Sequence, residues 1–188
     1  MLLLAALTLE TLLARGPVVS VESTPEGKFD AAVGLAEIDA PVETVWAALT
    51  EFGAYHEFVP RVVRSAVNTS AGALQVEFEI ESPGINTRYA VQYALDGLAH
   101  VAEGRQVSGD LEGSSWRWEL SEAAPGRTRV RYVSRARNFS SIVNAFEDEA
   151  QTITAGLNVG AAITMLRALK KRCENASSAP GPTAAPSR

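Results

Sequence analysis

Residues 140–174 read SSIVNAFEDEAQTITAGLNVGAAITMLRALKKRCE, and the folding of this stretch decides what the rest of the chain can do. Ile142, Phe146, Ala150, Ile153, Leu157 and Ala161 recur at the spacing that puts side chains on one face of an α-helix. Leu166 and Leu169 extend the apolar surface, and Lys170, Lys171 and Arg172 set cations near the negative end of the helix dipole. At about 1.5 Å per residue, such a helix crosses a whole domain. The acidic run Glu147, Asp148 and Glu149 mostly faces water at this spacing. Gly156 and Gly160 weaken the helix locally and mark a kink or a close approach by a strand or ligand. A helix with one long apolar face needs a surface to cover.

The preceding sequence provides that surface. LQVEFEI alternates strictly, with Val76, Phe78 and Ile80 on one side and Glu77 and Glu79 on the other. Pro83-Gly84 marks a turn, and TRYAVQYAL then aligns Tyr89, Val91, Tyr93 and Leu95, which places Arg88 outward. AHVAEGRQVS is a weaker strand. SSWRWEL opposes Trp116, Trp118 and Leu120 to Arg117 and Glu119, and after Pro125-Gly126 the run RTRVRYVSRAR opposes Val130 and Tyr132 to Arg129 and Arg131. Consecutive strands with short turns pair antiparallel, and one apolar face beside one charged face means that one side is covered and the other is wet. Upstream, VVSVES, TPEGK and FDAAVGLAEI read as strand, turn and strand. IDAPVETVWAALTEF then shifts to helical period, with Asp39 as a capping residue, Pro41 in the first turn and Val45, Ala48, Leu49 and Phe52 on one face. Trp46 is expected as a buried anchor of that helix, and AYHEFVP forms a second short helix. The expected fold is α+β: a curved antiparallel sheet of about six or seven strands wrapped around a long C-terminal helix, with two short helices after the first strand.

The ends and the bulk composition bound the rest. MLLLAALTLETLLARG is shorter than the roughly 20 apolar residues of a membrane span and is interrupted by Glu10; it reads as a short helix ending at Gly16, before Pro17. The expected organisation is residues 1–16 as that helix or as the remnant of a signal or anchor, 17–174 as one ligand-binding domain, and 175–188 as a disordered Pro/Ala/Ser tail. A cytoplasmic location is the first expectation, with export or membrane anchoring as the alternatives, and oligomeric state is left open. The net charge of −5 argues against a nucleic-acid partner, which needs a basic face, but leaves membrane contact open. The single cysteine, Cys173, excludes an internal disulfide and reads as a surface thiol near a helix end. With two histidines, His56 and His100, both expected in surface or capping roles, and no HExxH, CxxC, glycine-rich phosphate loop or GxSxG, neither a metal, a cofactor nor a catalytic group is expected from motifs.

IDAPVETVWAALTEFGAYHEFVP resembles the opening of the START/Bet v 1-like helix-grip superfamily, in its polyketide cyclase/dehydrase and coenzyme-Q-binding branch. The positions that carry the resemblance are Ala40, Pro41, Val45, Trp46, Glu51, Phe52, Tyr55, Phe58 and Pro60. SSWRWELSEAAPGRTRVRYVS resembles the paired late strands of that branch, and ALKKRCE the end of its helix. The resemblance runs from about Val18 to Glu174. It implies a tunnel under the long helix that holds lipids, quinones, polyketides or other hydrophobic molecules, in some members with cyclisation or dehydration. No catalytic pattern of the branch maps onto this chain residue by residue.

A bent sheet around one helix offers more area than the helix covers. The inward residues Phe78, Tyr89, Val91, Tyr93, Trp116, Trp118 and Tyr132, with Phe146, Ile153 and Leu157 from the helix, are the expected cavity wall. The first function expected is binding or carriage of a hydrophobic small molecule. The alternative is a cyclase or dehydratase in which Tyr89, Tyr93 or Tyr132 orients a poly-ketone chain. A further alternative is a protein-interaction module with a collapsed cavity.

Overall fold

The computed structural model describes residues 8–69, 72–81, 86–137 and 150–177. After a short helix α1 (Leu9–Leu13), strands β1 (Val18–Ser23) and β2 (Phe29–Ile38) form the first hairpin. Helix α2 (Val42–Thr50), a 3-10 turn (Phe52–Ala54) and helix α3 (Tyr55–Phe58) follow. Then come β3 (Val62–Asn68), β4 (Leu74–Ile80), β5 (Thr87–Asp96), β6 (Val101–Gly109), β7 (Ser115–Ala124), β8 (Arg127–Arg135) and helix α4 (Ala150–Ser177). All eight strands lie in one antiparallel sheet in the order β1-β2-β8-β7-β6-β5-β4-β3. The expected six or seven strands become eight because VVRSAVN, not read as a strand from the sequence, forms β3 and pairs along β4 from Val62↔Ile80 to Asn68↔Gln75. The short helices follow the second strand, since VVSVES precedes β2 and pairs with it. Register shifts at Val62/Arg64, Ala90/Val91 and Glu122/Ala124 bend the strands that carry them.

The helix and the sheet meet most closely at β2. Its small residues Ala32 and Ala36 are buried, and a Cβ on Gly34, between them on the same face, would stand 2.6 Å from Leu166 Cδ1. Glycine at this position lets α4 settle against the strand. The buried seam of α4 is Asn158, Ala162, Leu166, Leu169 and Cys173. This differs from the expected apolar stripe: Leu157 and Ala161 sit beside the seam, on the cavity side, and Ile153 is half-buried. The polar Asn158 hides the seam from a hydrophobic count. The helix continues past Glu174 to Ser177, three residues into the segment expected as a tail. Ile142, Phe146, the acidic run 147–149 and the Pro83-Gly84 turn lie outside the described residues, as do residues 1–7 and 178–188 of the two ends.

Asn158 is fully enclosed and uses its whole side chain. Its Oδ1 accepts from Ser134 Oγ at 2.7 Å and from Ala136 N at 2.9 Å, and its Nδ2 donates to the carbonyls of Ala136 and Thr154, both at 2.9 Å. Further along α4, Lys170 Nζ donates to the Glu37 carbonyl at 2.6 Å, and the Asp39 N–H donates to Glu174 Oε1 at 3.1 Å. The helix is thus tied to the β2–β8 side of the sheet at both halves.

Several local expectations are corrected. Asp39 does not cap α2, whose N-cap is Pro41 with no side-chain bond; its carboxylate instead accepts from Arg127 Nε at 2.8 Å, next to the β2–β8 pairing. Trp46 is half-buried, edge-on to His100 with ring centroids 5.5 Å apart, while Val45 and Leu49 fill the core. His100 is not the first residue of a strand: it lies in the β5–β6 turn at φ 50, its Nε2 3.2 Å from Glu43. Cys173 is a core residue, 1% exposed, and burial pushes its thiol up to about 11. A Cβ on Gly156 or Gly160 would meet nothing within 4 Å, so no strand approaches closely at either. On the outer face, carboxylate–arginine pairs such as Arg129–Glu37 and Arg131–Glu119 satisfy the charged halves of the alternating strands and contribute little each to stability.

Candidate functional site

Because α4 rests on β2 and β8, it leaves the inner faces of β4, β5 and β7 uncovered over part of their length. The gap is a cavity of about 450 Å³. Phe78, Tyr89, Val91, Tyr93, Trp116, Trp118, Tyr132 and Leu157 line it, as the strand and helix periods place them. Ile153 is not on its wall, and Phe146 lies outside the described residues. The interior is not packed solid, so a collapsed cavity finds no support.

Other wall residues are not legible as such in the sequence. Tyr55, Val59, Pro60 and Val62 come from α3 and the start of β3, and Ser134, Ala136, Ala161, Thr164 and Met165 from the end of β8 and from α4. Their sequence signal is the aromatic-x-x-Phe-x-Pro stop, which reads as helix punctuation until the fold shows that it closes the base of the cavity.

Two stacked pairs build the wall. Trp118 and Tyr132 stack across β7–β8 with centroids 3.9 Å apart, matching their register as direct partners. Tyr89 stacks on Trp116 at 5.6 Å. Tyr93 lies flat against Phe52 at 4.1 Å, which requires Gly104 on the neighbouring strand: a Cβ there would come within 2.8 Å of Tyr93 Cε1. The four tyrosines of the chain, Tyr55, Tyr89, Tyr93 and Tyr132, all face this one space.

Their hydroxyls differ in what they do. Tyr55 Oη donates to the Leu49 carbonyl at 2.7 Å and is a structural bond. The Tyr132 hydroxyl has Ser134 beside it, and Ser134 leads on to Asn158. Tyr89 and Tyr93 have no hydrogen-bond partner for their hydroxyls among the described residues, and both side chains keep some accessible surface, turned into the cavity. Burial raises the pKa of all four, and for Tyr55, Tyr93 and Tyr132 neighbouring tyrosines raise it further. The site therefore holds neutral O–H groups that donate hydrogen bonds across the physiological range.

Formal charge enters the described wall only through Arg61 and Glu81, where the Glu81 N–H donates to the Arg61 carbonyl at 2.8 Å. Arg88 is outside, bonded to Glu79 at 3.0 Å, and that bond lowers the Glu79 pKa. His56 is also outside the wall, its Nδ1 2.9 Å from Ser65 Oγ; since Ser65 donates to the Gly53 carbonyl, the imidazole supports a turn and does not activate the hydroxyl.

A sequence profile described as polyketide cyclase / dehydrase and lipid transport matches residues 21–174. The chain belongs to this family. The match includes Ala40-Pro41, Val45-Trp46 and Tyr55–Pro60, the positions on which the resemblance in the sequence rests. The chain is similar to the Zhui aromatase/cyclase from Streptomyces sp. R1128, with 18% identity and a TM-score of 0.69 over 81% of this chain and 98% of that one. It is similar to a STAR-related lipid transfer protein from Xanthomonas axonopodis, with 15% identity and a TM-score of 0.56 over 83% and 98%. A START superfamily protein from Mycobacterium smegmatis gives 16% identity and a TM-score of 0.56 over 78% and 98%. At these identities the likeness is one of fold. No curated protein sequence matches the chain. Membership of the family supports a hydrophobic ligand or polyketide chemistry at the level of the superfamily.

Proposed function

We propose that the chain binds and carries one hydrophobic small molecule, held by aromatic faces and oriented by hydrogen bonds from Tyr89 and Tyr93. The observation that carries this reading is a 450 Å³ aromatic cavity with two hydroxyls on its wall that have no partner among the described residues. That volume lies within the roughly 300–1,000 Å³ typical of small-molecule sites. Apolar contact supplies affinity at about 25 cal/mol per Å², less the cost of ordering the ligand. The hydroxyls select for acceptors, so a molecule with carbonyl or quinone oxygens on a flat apolar body suits the wall better than a plain hydrocarbon.

The aromatic wall with donors also suits a cyclase, since a hydroxyl aimed at a ketone oxygen stabilises the enolate formed beside it. Carriage is favoured because a general base works best with a pKa near the working pH, and the described wall tyrosines are shifted away from it. Native mass spectrometry of the purified chain, followed by incubation with lipid and quinone extracts, tests the proposal. Retention or exchange of an apolar ligand is expected. The double substitution Tyr89→Phe and Tyr93→Phe is expected to weaken a carbonyl ligand by about tenfold or more, at about 1 kcal/mol per neutral bond, and to leave a hydrocarbon unaffected. A chain that never takes up an apolar molecule is not a carrier. Turnover of a poly-β-keto substrate, lost in the same double variant, would move the conclusion to the cyclase.

A further inference from the structure

The loop between β6 and β7 enters the left-handed backbone region three times, at Gly109 (φ 82), Leu111 (φ 67) and Gly113 (φ 78). Glycine takes this conformation without steric cost. At Gly109 nothing else fits, because a Cβ would lie 2.3 Å from the Arg88 carbonyl oxygen. Leu111 carries a bulky side chain in a region that disfavours one. Backbone strain of this kind persists where the surroundings enforce it, and it collects at ligand sites.

The loop does not need a leucine to hold its shape. The Arg88 N–H donates to Asp110 Oδ2 at 2.8 Å, the Asp110 N–H to the Arg88 carbonyl at 2.7 Å, and the Ser114 N–H to the Leu111 carbonyl at 3.1 Å. Ser114 Oγ accepts from the Arg137 N–H at 2.7 Å. None of these bonds involves the side chain of residue 111, so glycine or asparagine there would keep them all and relieve the backbone. What leucine adds is bulk in one place. Leu111 is 5% exposed and stands on the cavity wall. The antiparallel registers bring its loop to the same end of the sheet as the end of β4, the start of β5 and the end of β8, where Ile80, Thr87 and Ala136 also line the cavity. His100, another non-glycine residue at positive φ, packs on Trp46 away from that wall.

We propose that Leu111 is the end stop of the cavity and sets the length of the molecule it accepts. This rests on the carrier reading and adds to it the residue that decides ligand size. A ligand lying along the aromatic wall meets the Leu111 side chain at the loop end. The loop is held by backbone and Asp110 bonds, so the stop does not yield to a longer chain.

The test uses the full chain with 1-anilinonaphthalene-8-sulfonate as reporter and straight-chain 2-alkanones as competitors. Affinity is expected to rise roughly fourfold per methylene over a series from about eight to sixteen carbons, until the chain meets the stop and the gain ends. Leu111→Gly and Leu111→Ala are expected to move that limit outward by about three carbons, in keeping with the side-chain volume removed. Leu111→Phe is expected to move it inward. Leu111→Ala serves if the glycine variant does not fold. Leu111→Asn, with as many side-chain heavy atoms as leucine, relieves the backbone and is expected to leave the limit nearly in place, which separates bulk from strain. One limiting length shared by all folded variants, with binding otherwise intact, would overturn the end stop and leave the carrier standing. Failure of every ketone to displace the reporter from the unmodified chain would remove both.

Discussion

Asn158 is the residue whose replacement should tell most about how α4 is held over the cavity. Its side chain is fully buried and makes four hydrogen bonds, two from Oδ1 and two from Nδ2. In Asn158→Ala, Ser134 can turn its hydroxyl elsewhere, and the Thr154 carbonyl keeps its place in the helix. The Ala136 N–H and carbonyl each lose this partner inside the protein. Each buried backbone group left unpaired costs about 1–3 kcal/mol, and water admitted from the adjoining cavity recovers part of it. The expected loss is about 3 kcal/mol, or about 6–12 °C in melting temperature for a domain of this size.

Asn158→Asp sharpens the test by adding a pH dependence. One carboxylate oxygen still accepts from Ser134 and Ala136, but the other faces the two carbonyls that Nδ2 now serves. Burial and that repulsion raise the folded pKa of the introduced carboxyl above its unfolded value of about 3.9. A raised folded pKa means that its contribution is fully present below the unfolded value and is lost as pH rises through the folded one. Urea denaturation followed by tryptophan fluorescence at pH 7 and pH 5 should therefore show the aspartate variant recovering on acidification and the alanine variant unchanged relative to the parent. A loss under about 0.5 kcal/mol in Asn158→Ala would refute the reasoning, because it would mean that the clasp is not needed to seat the helix.

The same geometry fixes three further outcomes. Gly34→Ala should destabilise by about 1–3 kcal/mol, since its Cβ collides with a fully buried Leu166, whereas Gly156→Ala, whose Cβ meets nothing, should stabilise by about 0.5–1 kcal/mol in a chemical melt. Spectrophotometric titration should find no tyrosine ionising normally near pH 10 in the folded chain; with folded values raised, their contribution holds below about pH 10 and is lost as pH climbs through them, so phenolate should appear together with alkaline unfolding, and a tyrosine titrating at its ordinary value while the fold persists would contradict the burial. Cys173 should react with a thiol-directed disulfide reagent only as the chain unfolds, and fast labelling of the native protein would place it outside the core.

The fold is legible in the sequence where the signal is local. Alternation at Val76-Phe78-Ile80 and at Trp116-Trp118-Leu120 follows from the two-residue period of a strand, and each such face needs a cover. Strand count is less legible, because VVRSAVN forms β3 at the sheet edge, with β4 as its one sheet neighbour and buried positions that do not alternate, so its pattern is weak. The seam of α4 lies one position along the helix from the apolar stripe. A hydrophobic count passes over Asn158, whose burial depends on Ser134 and Ala136 arriving from another element. The same limit applies to Cys173, which joins a core cluster with β2 residues such as Ile38, and to Asp39, whose partner is Arg127; both depend on residues remote in sequence.

The cavity wall follows the same division, and this explains why the space exists on one side only. On β2 the inward positions 32, 34 and 36 are alanine, glycine and alanine, so the helix descends until Leu166 touches the strand. On β5, β7 and β8 they include Tyr89, Trp116, Trp118 and Tyr132, whose rings stack in pairs along the sheet. A helix held low at one side by Gly34 and clasped by Asn158 cannot also descend onto the other. Filling the gap would take longer apolar side chains where α4 presents Ala161 and Thr164. The opening is therefore built by small residues on two surfaces and flat ones on a third, a relation between elements that no single strand or helix reveals alone.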